Sequence, residues 1–335
     1  MIMLLSIVIP HYNLPRELLR RCVDSVLAQG IPDGDFEVLV VDDGSEQPPL
    51  WLNEAYAAGN VRLVPGSHGG PGAARNKGIE EANGRYIQFV DADDFLFENG
   101  QYLQCIDVLR SECPQILRFF YHVRPQGTNP RKFRKKSVRF GNTISGAVYM
   151  RDNNLFGSPC TYFFLKELAI ENGVRFPENM FHEDEVFNTM LHYHAQTLVE
   201  SNAVLYCYSL REGSTTSNAS PEFEARRLGD FFSAIEQLSA FKASNAGSSN
   251  ALQDAGMERK LNMLAVDFIL NLMYNGRKAK EVYARCVECL APLSLYPLPE
   301  ARYSFKYRVF RFFANSKWGM RLLRLVIPKH KPLKK

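Results

Sequence analysis

Four times within its first hundred residues the chain sets a short, mostly apolar run against a stretch of helical periodicity. The runs are residues 4–10, 36–41, 61–64 and 86–90, each broken by one polar residue: Ser6, Glu37, Arg62 and Gln88. A run without polar alternation marks a strand covered on both faces. Between them, residues 16–29 carry Leu18, Leu19, Cys22, Val23, Val26 and Leu27 at helical spacing, and residues 48–58 and 73–82 also read as helices. Strands and helices taking turns predict a mostly parallel, Rossmann-like α/β sheet with helices on both faces. Such sheets bind ligands outside the carboxyl ends of their strands. The notable polar residues fall there: 11–13 after the first run, 42–45 after the second and 91–94 after the fourth.

The rest of the chain is less regular. Residues 101–111 read as a helix, while 115–123, 143–150 and 198–210 read as strands, and residues 131–139 hold six Lys or Arg. From Pro221 onward the pattern is helical, with a Gly/Ser/Asn linker at 245–250 and a proline-punctuated break at 292–299. With 46% hydrophobic and 23% charged residues the chain can build a sizeable core, which excludes global disorder. Cys286 and Cys289 form a C-x-x-C pair with no second pair facing it, so the seven cysteines read as reduced structural residues rather than zinc ligands. The apolar start is too short to span a bilayer, and 261–274 is interrupted by Asn262, Asp267 and Asn271, so no transmembrane helix is expected. Charge is uneven. Eleven of the 40 basic residues lie in 301–335, where there is no Asp or Glu, leaving a net −7 over the first 300 residues.

Three constellations carry chemistry. Asp42 and Asp43 end one buried run, and Asp91 and Asp93 end another. A hard divalent cation takes one or two carboxylates together with substrate phosphates, and can neutralise a diphosphate leaving group. Residues 66–72 form a glycine-rich loop running into a helix, where a diphosphate could approach the backbone and Arg75 could add a charge contact. His182, Glu183, Asp184 and Glu185 precede a helical pattern; a carboxylate there is either a helix cap or a general base for an attacking hydroxyl.

These motifs, taken in order, resemble the family 2 glycosyltransferases: Ser6 to Asn13, Val40 to Ser45, Gly72 to Ile79, and Gly84 to Asp94. Glu183-Asp184 with Phe187 is similar to the family's later Glu-Asp motif, and Tyr208, Arg211 and Gly213 to Thr216 to the segment that follows it. The glycine-rich loop departs from the family, reading His68-Gly69-Gly70-Pro71-Gly72 where members more often carry Asn and fewer glycines. The resemblance implies a GT-A fold, inverting transfer, and Mn2+ or Mg2+. It assigns Pro10, Tyr12, Asn13, Asp42, Arg75, Asp91 and Ala92 to the nucleotide-sugar pocket, Asp93 to the metal, and Asp184 to the base with Glu183 beside it. Residues 1–216 would then be the catalytic domain, with 1–95 binding the nucleotide-sugar and 96–216 forming the metal and acceptor part. Residues 217–335 would be a helical C-terminal region.

The expected function is transfer of a sugar from a nucleotide diphosphate-sugar, a UDP-sugar being the favoured donor, to a glycan or lipid-linked acceptor in cell-surface polysaccharide synthesis. Alternatives are an inactive binding module, against which the intact Asp91, Asp93 and Asp184 argue, and a sugar nucleotidyltransferase, whose Gly-rich first loop is replaced here by Pro10-His11-Tyr12-Asn13. A nucleic-acid partner is not expected, because no recognition motif accompanies the basic tail. Instead the tail, with Phe305, Val309, Phe312, Phe313, Trp318, Leu322, Leu325 and Val326 among Lys and Arg and four lysines at 329–335, is expected to dock on an anionic membrane. That places the protein in the cytoplasm, peripheral on the inner face of the membrane.

Overall fold

The computed structural model describes residues 3–57, 59–125, 137–155, 157–210 and 220–328. Two compact units emerge: Met1–Gly146 with Gly157–Asn218, and Ala147–Phe156 with Ala219–Lys335. Most of the basic run at 131–139, the segment around Arg211 and Gly213 to Thr216, and the terminal lysines fall outside the described residues.

The first unit is built on an eight-stranded sheet. Its strands are β1 (Leu5–His11), β2 (Phe36–Asp42), β3 (Val61–Pro65), β4 (Tyr86–Phe89), β5 (Phe95–Leu96), β6 (Ile116–Pro125), β7 (Tyr162–Leu165) and β8 (Leu198–Leu210). The order is β3-β2-β1-β4-β7-β6-β8-β5. The four runs that open the sequence form the parallel half, β3-β2-β1-β4. Beyond β4 the directions are mixed: β7 is antiparallel to β4 and β6, β6 is parallel to β8, and β5 is antiparallel to β8. The register His11↔Asp42 brings the ends of β1 and β2 side by side.

Helices α1 (Arg16–Leu27), α2 (Trp51–Ala55), α3 (Gly70–Glu81) and α4 (Gln101–Ser111) follow the expected periodicities. Helix α3 begins three residues before the expected Ala73, so the loop's last glycines belong to its first turn, with Pro71 where its missing N–H costs nothing. Close approach explains its later glycine: a Cβ at Gly78 would lie 2.2 Å from Val8 Cγ1, so α3 rests directly on β1. One expectation fails. Residues 143–150, read as a strand, give only a single bridge, Ile144 to Leu198, and then helix α5 (Gly146–Asp152). Ala147 and Met150, one helical turn apart, pack against Gly256 within the second unit, and that contact overrides the strand-like composition.

Helices α6 (Lys166–Glu171) and α7 (Glu183–His194) complete the first unit. An aromatic cluster lies beneath the carboxyl end of β4. The Phe176 and Phe187 rings stack with centroids 3.8 Å apart, and Phe89 meets both edge-on. The second unit holds α8 (Pro221–Asn245), α9 (Ala251–Tyr274), α10 (Ala279–Arg285), α11 (Phe305–Ala314) and α12 (Lys317–Val326). Leu228, Phe231, Ala234, Ile235 and Leu238 form the buried stripe of α8, and Phe231 and Phe232 pack on Phe268 of α9. Residues 245–250, read as a linker, form a tight turn inside this unit: Ser248 and Ser249 donate to the Asn245 carbonyl, and Asn250 caps α9 in a capping box with Gln253. All seven cysteines are free. Among the described residues, no helix is long and apolar enough to cross a membrane.

Candidate active site

At the end of β2 the two neighbouring aspartates face different tasks, as strand alternation requires. Asp42 accepts from the Ser45 N–H (3.2 Å) and lies 3.0 Å from His11 Nδ1. The Ser45 hydroxyl accepts in turn from the Asn13 N–H (2.9 Å), and the Asn13 side chain from the Glu46 N–H (3.0 Å). This net fixes residues 11–13 over the strand ends. Asp43 instead takes the N–H groups of Gly69 (2.9 Å) and Gly70 (2.8 Å). It thereby caps α3 from another element, and the helix N-terminus that the sequence offers to a diphosphate is occupied by a protein carboxylate. Exposed Tyr12 packs against His68 of the glycine-rich loop, with ring centroids 4.5 Å apart and the planes tilted by 31°. A cleft of about 630 Å³ opens beside the end of β1, lined by His11, Asn13, Arg16, Glu46, Gln47 and Trp51, among others.

Arg75 is the centre of the arrangement. It is buried, its Nη2 donates to Asp91 Oδ1 (2.9 Å) and its Nη1 to Glu183 Oε1 (2.8 Å). Its guanidinium lies 5.4 Å from the Phe176 ring centroid and 6.0 Å from that of Phe89. Burial works against its charge, but the Asp91 and Glu183 carboxylates outweigh that effect and raise its pKa. Asn76 binds the same segment in both directions, donating to the Phe176 carbonyl and accepting from its N–H, each at 2.9 Å. Gly72 permits the approach, since a Cβ there would sit 2.5 Å from the Pro177 carbonyl oxygen. The sequence Gly72-Ala73-Ala74-Arg75-Asn76 thus ties α3 to residues 176–183 and sets the start of α7 against the end of β4. His182, just before α7, holds a left-handed backbone (φ 65°), an unusual conformation for a residue with a Cβ.

The turn after β4 concentrates negative charge. Asp91 and Asp93 are half-buried, Asp94 is buried, and the Asp94 N–H donates to the Asp91 carbonyl (3.0 Å). Tyr206 and the Ser209 N–H both donate to the Asp94 carboxylate, and Tyr206 also accepts from the Asp91 N–H. Arg21 holds the Asp93 carbonyl at 2.6 Å. Burial, with the like charges of Asp91 and Asp93 adding to it, pushes the Asp94 carboxyl well above the usual range. Among the described residues no group of three or more His, Cys, Asp or Glu forms a metal cage. Partly exposed oxygen donors at a negative turn suit instead a hard cation that completes its shell with phosphate and water.

The sequence model described as "Glycosyl transferase family 2" matches residues 6–173. The chain belongs to that family. It is 29% identical over 296 residues to the poly(ribitol-phosphate) beta-glucosyltransferase of Bacillus spizizenii, covering 84% of this chain and 42% of that protein. It is 27% identical to the poly(ribitol-phosphate) beta-N-acetylglucosaminyltransferase TarS of Staphylococcus aureus, covering 77% and 43%. The chain therefore spans less than half the length of these relatives. The crystal structure of TarS 1–349 with UDP superposes over 97% of this chain and 90% of that one, with a TM-score of 0.69 and 22% identity. That likeness establishes the GT-A fold expected from the motifs.

Each sequence-assigned residue has a definite place. Pro10 pairs with Val41 in the β1–β2 ladder; Tyr12, Asn13 and Asp42 cluster at that edge. Arg75 joins Asp91 to Glu183, Ala92 and Asp93 lie in the same turn as Asp91, and Asp184 stands in the first turn of α7. Three residues escape sequence reasoning: Asn76, Tyr206 and Asp43 as a helix cap. Period-two alternation could have separated Asp43 from Asp42. Nothing local could have linked Tyr206 to Asp94, 112 residues away.

Proposed function

We propose that this chain is an inverting glycosyltransferase that moves a sugar from a nucleotide diphosphate-sugar to a hydroxyl of a glycan or lipid-linked acceptor in cell-surface polysaccharide synthesis. The observation that carries the reading is the single guanidinium of Arg75 holding Asp91 and Glu183 together, which draws the donor-side turn and the start of α7 to one place. Pro10, Tyr12, Asn13, Asp42 and Ala92 line the donor pocket. Arg75 acts as a positioning residue, since both its terminal nitrogens are engaged by carboxylates. Asp93, assisted by Asp91, would hold Mn2+ or Mg2+, which neutralises charge on the departing diphosphate. The mannosyltransferase PcManGT of Pyrobaculum calidifontis, solved with GDP-Man and Mn2+ (TM-score 0.57, 16% identity), supports the metal. TarS structures solved with UDP and UDP-GlcNAc support UDP as the nucleotide.

Asp184 is the base. It takes the proton of the acceptor hydroxyl as that oxygen bonds to the anomeric carbon, and the bond from that carbon to the diphosphate breaks on the opposite face. Glu183, bound to Arg75, steadies the start of the helix on which Asp184 stands. A lipid-linked acceptor places the work at the inner face of the cell membrane. The test is nucleotide release from UDP-, GDP- and dTDP-sugars with Mn2+. Release from a UDP-sugar that stops on chelation is expected; no release from any donor, with or without glycan acceptors, overturns the reading.

A further inference from the structure

Helices α11 and α12 pack on each other and divide their apolar residues cleanly. Tyr307, Ala314, Gly319 and Met320 point inward and are buried. A Cβ at Gly319 would lie 2.2 Å from the Phe313 carbonyl oxygen, so the turn between the helices is tight. The outward set is large and apolar. Phe305, Phe312, Trp318, Leu325 and Val326 are between 65% and 84% exposed. Phe305, Val309 and Phe312 follow i, i+4, i+7 on α11, and Trp318, Leu322 and Leu325 repeat that spacing on α12, so each helix presents one apolar stripe to solvent.

Charge accompanies the stripes. Residues 301–328 hold seven Lys or Arg and no Asp or Glu. Three are turned to the unit itself: Arg311 donates to the Leu298 carbonyl, Arg324 to the Arg277 carbonyl, and Lys317 covers the Tyr283 ring. Arg308 and Arg321, both exposed, sit one turn from Phe305 and Trp318 on the outward stripes, and exposed Lys306 flanks them. Aromatic and branched apolar residues fringed by one sign of charge fit a lipid headgroup boundary. The core of a protein interface, by contrast, is depleted of charged residues, Lys included, although Arg is enriched there; a surface carrying Lys and Arg with no acid at all is complementary to anionic phosphates. Each helix has ten residues, so at 1.5 Å per residue it reaches about 15 Å, half of a hydrocarbon core. The pair can lie in the interface and cannot span it.

We propose that α11 and α12 together form a docking surface for an anionic bilayer, with Phe305, Phe312, Trp318, Leu325 and Val326 inserted and Lys306, Arg308 and Arg321 at the phosphates. The proposal rests on the reading above only for its purpose, which is to hold the catalytic chain beside a lipid-linked acceptor.

The experiment is flotation of the full chain with phosphatidylglycerol-containing vesicles and with phosphatidylcholine alone, at low and high salt. Light scattering and nucleotide release are read on the same samples. The intact protein is expected to float with the anionic vesicles and to detach at high salt. Phe312→Glu with Leu325→Glu should weaken the partition roughly a hundredfold. Arg308→Gln with Arg321→Gln should weaken it about fivefold for each charge removed. Nucleotide release should be unchanged in both variants, which shows that they are folded. Flotation that is equal in the Glu variant and the intact protein, or absent from the intact protein, overturns the proposal. So does a dimer that the Glu variant dissolves, because the stripes would then be a self-interface. Flotation without nucleotide release from any donor leaves the docking standing and removes the catalytic reading.

Discussion

Asp184 and Glu183 are adjacent on α7, and Arg75 separates their chemistry by taking Glu183 into a buried ion pair. If Asp184 is the base, Asp184→Asn keeps the shape and loses the proton acceptor. Turnover should then fall about 10²–10⁴-fold with donor KM little changed. Donor binding that collapses while the chemical step survives would make Asp184 a structural residue. Arg75 is the residue on which both sides of the site depend. Arg75→Ala strands two carboxylates, so stability should fall by about 3–5 kcal/mol in denaturant unfolding, with activity lost alongside. The Asp94 carboxyl, raised by burial and then by Asp91 and Asp93, predicts a pH dependence. The folded state holds this proton more tightly than the unfolded chain. Stability is therefore greatest below the ordinary carboxylate range and declines as pH rises toward the elevated value. Asp94→Asn should flatten that decline when Tm is followed against pH.

Helix α3 shows how an element turns local sequence into distant geometry. Its glycines answer to particular neighbours: Gly72 to the Pro177 carbonyl and Gly78 to Val8. Gly78→Ala should cost about 1–3 kcal/mol through overpacking, and Val8→Ala in the same chain should recover part of it. Additive losses in that double-mutant cycle would show that the contact does not set the packing of α3 on β1. The existence of α3 is legible from the sequence, since a glycine-rich loop with Pro71 precedes a regular stretch. Its capping is not, because Asp43 comes from just past the end of β2, 26 residues before Gly69. Helix α5 fails to be legible for the same kind of reason: residues 143–150 suit a strand until Ala147 and Met150 meet Gly256.

At the scale of the molecule, ligand binding and stability are linked. UDP with Mn2+ at about a hundred times Kd should add about 2.7 kcal/mol and raise Tm by roughly 4 °C. Omitting the metal, or substituting Asp93→Ala, should abolish the shift; an undiminished shift in the variant would remove Asp93 from the metal site. The amino-acid sequence by itself determined the parallel half of the sheet, because apolar runs such as residues 38–41 are best satisfied by burial on both faces. It also determined that the acidic pairs stand at strand ends, since each follows its run directly. Tertiary structure decided which partner each charge takes. Arg75 and Glu183 are 108 residues apart, and no periodicity of three or four residues can encode that pairing. It decided likewise which aromatics of the C-terminal helices face water, because an apolar stripe reads the same whether or not another element covers it.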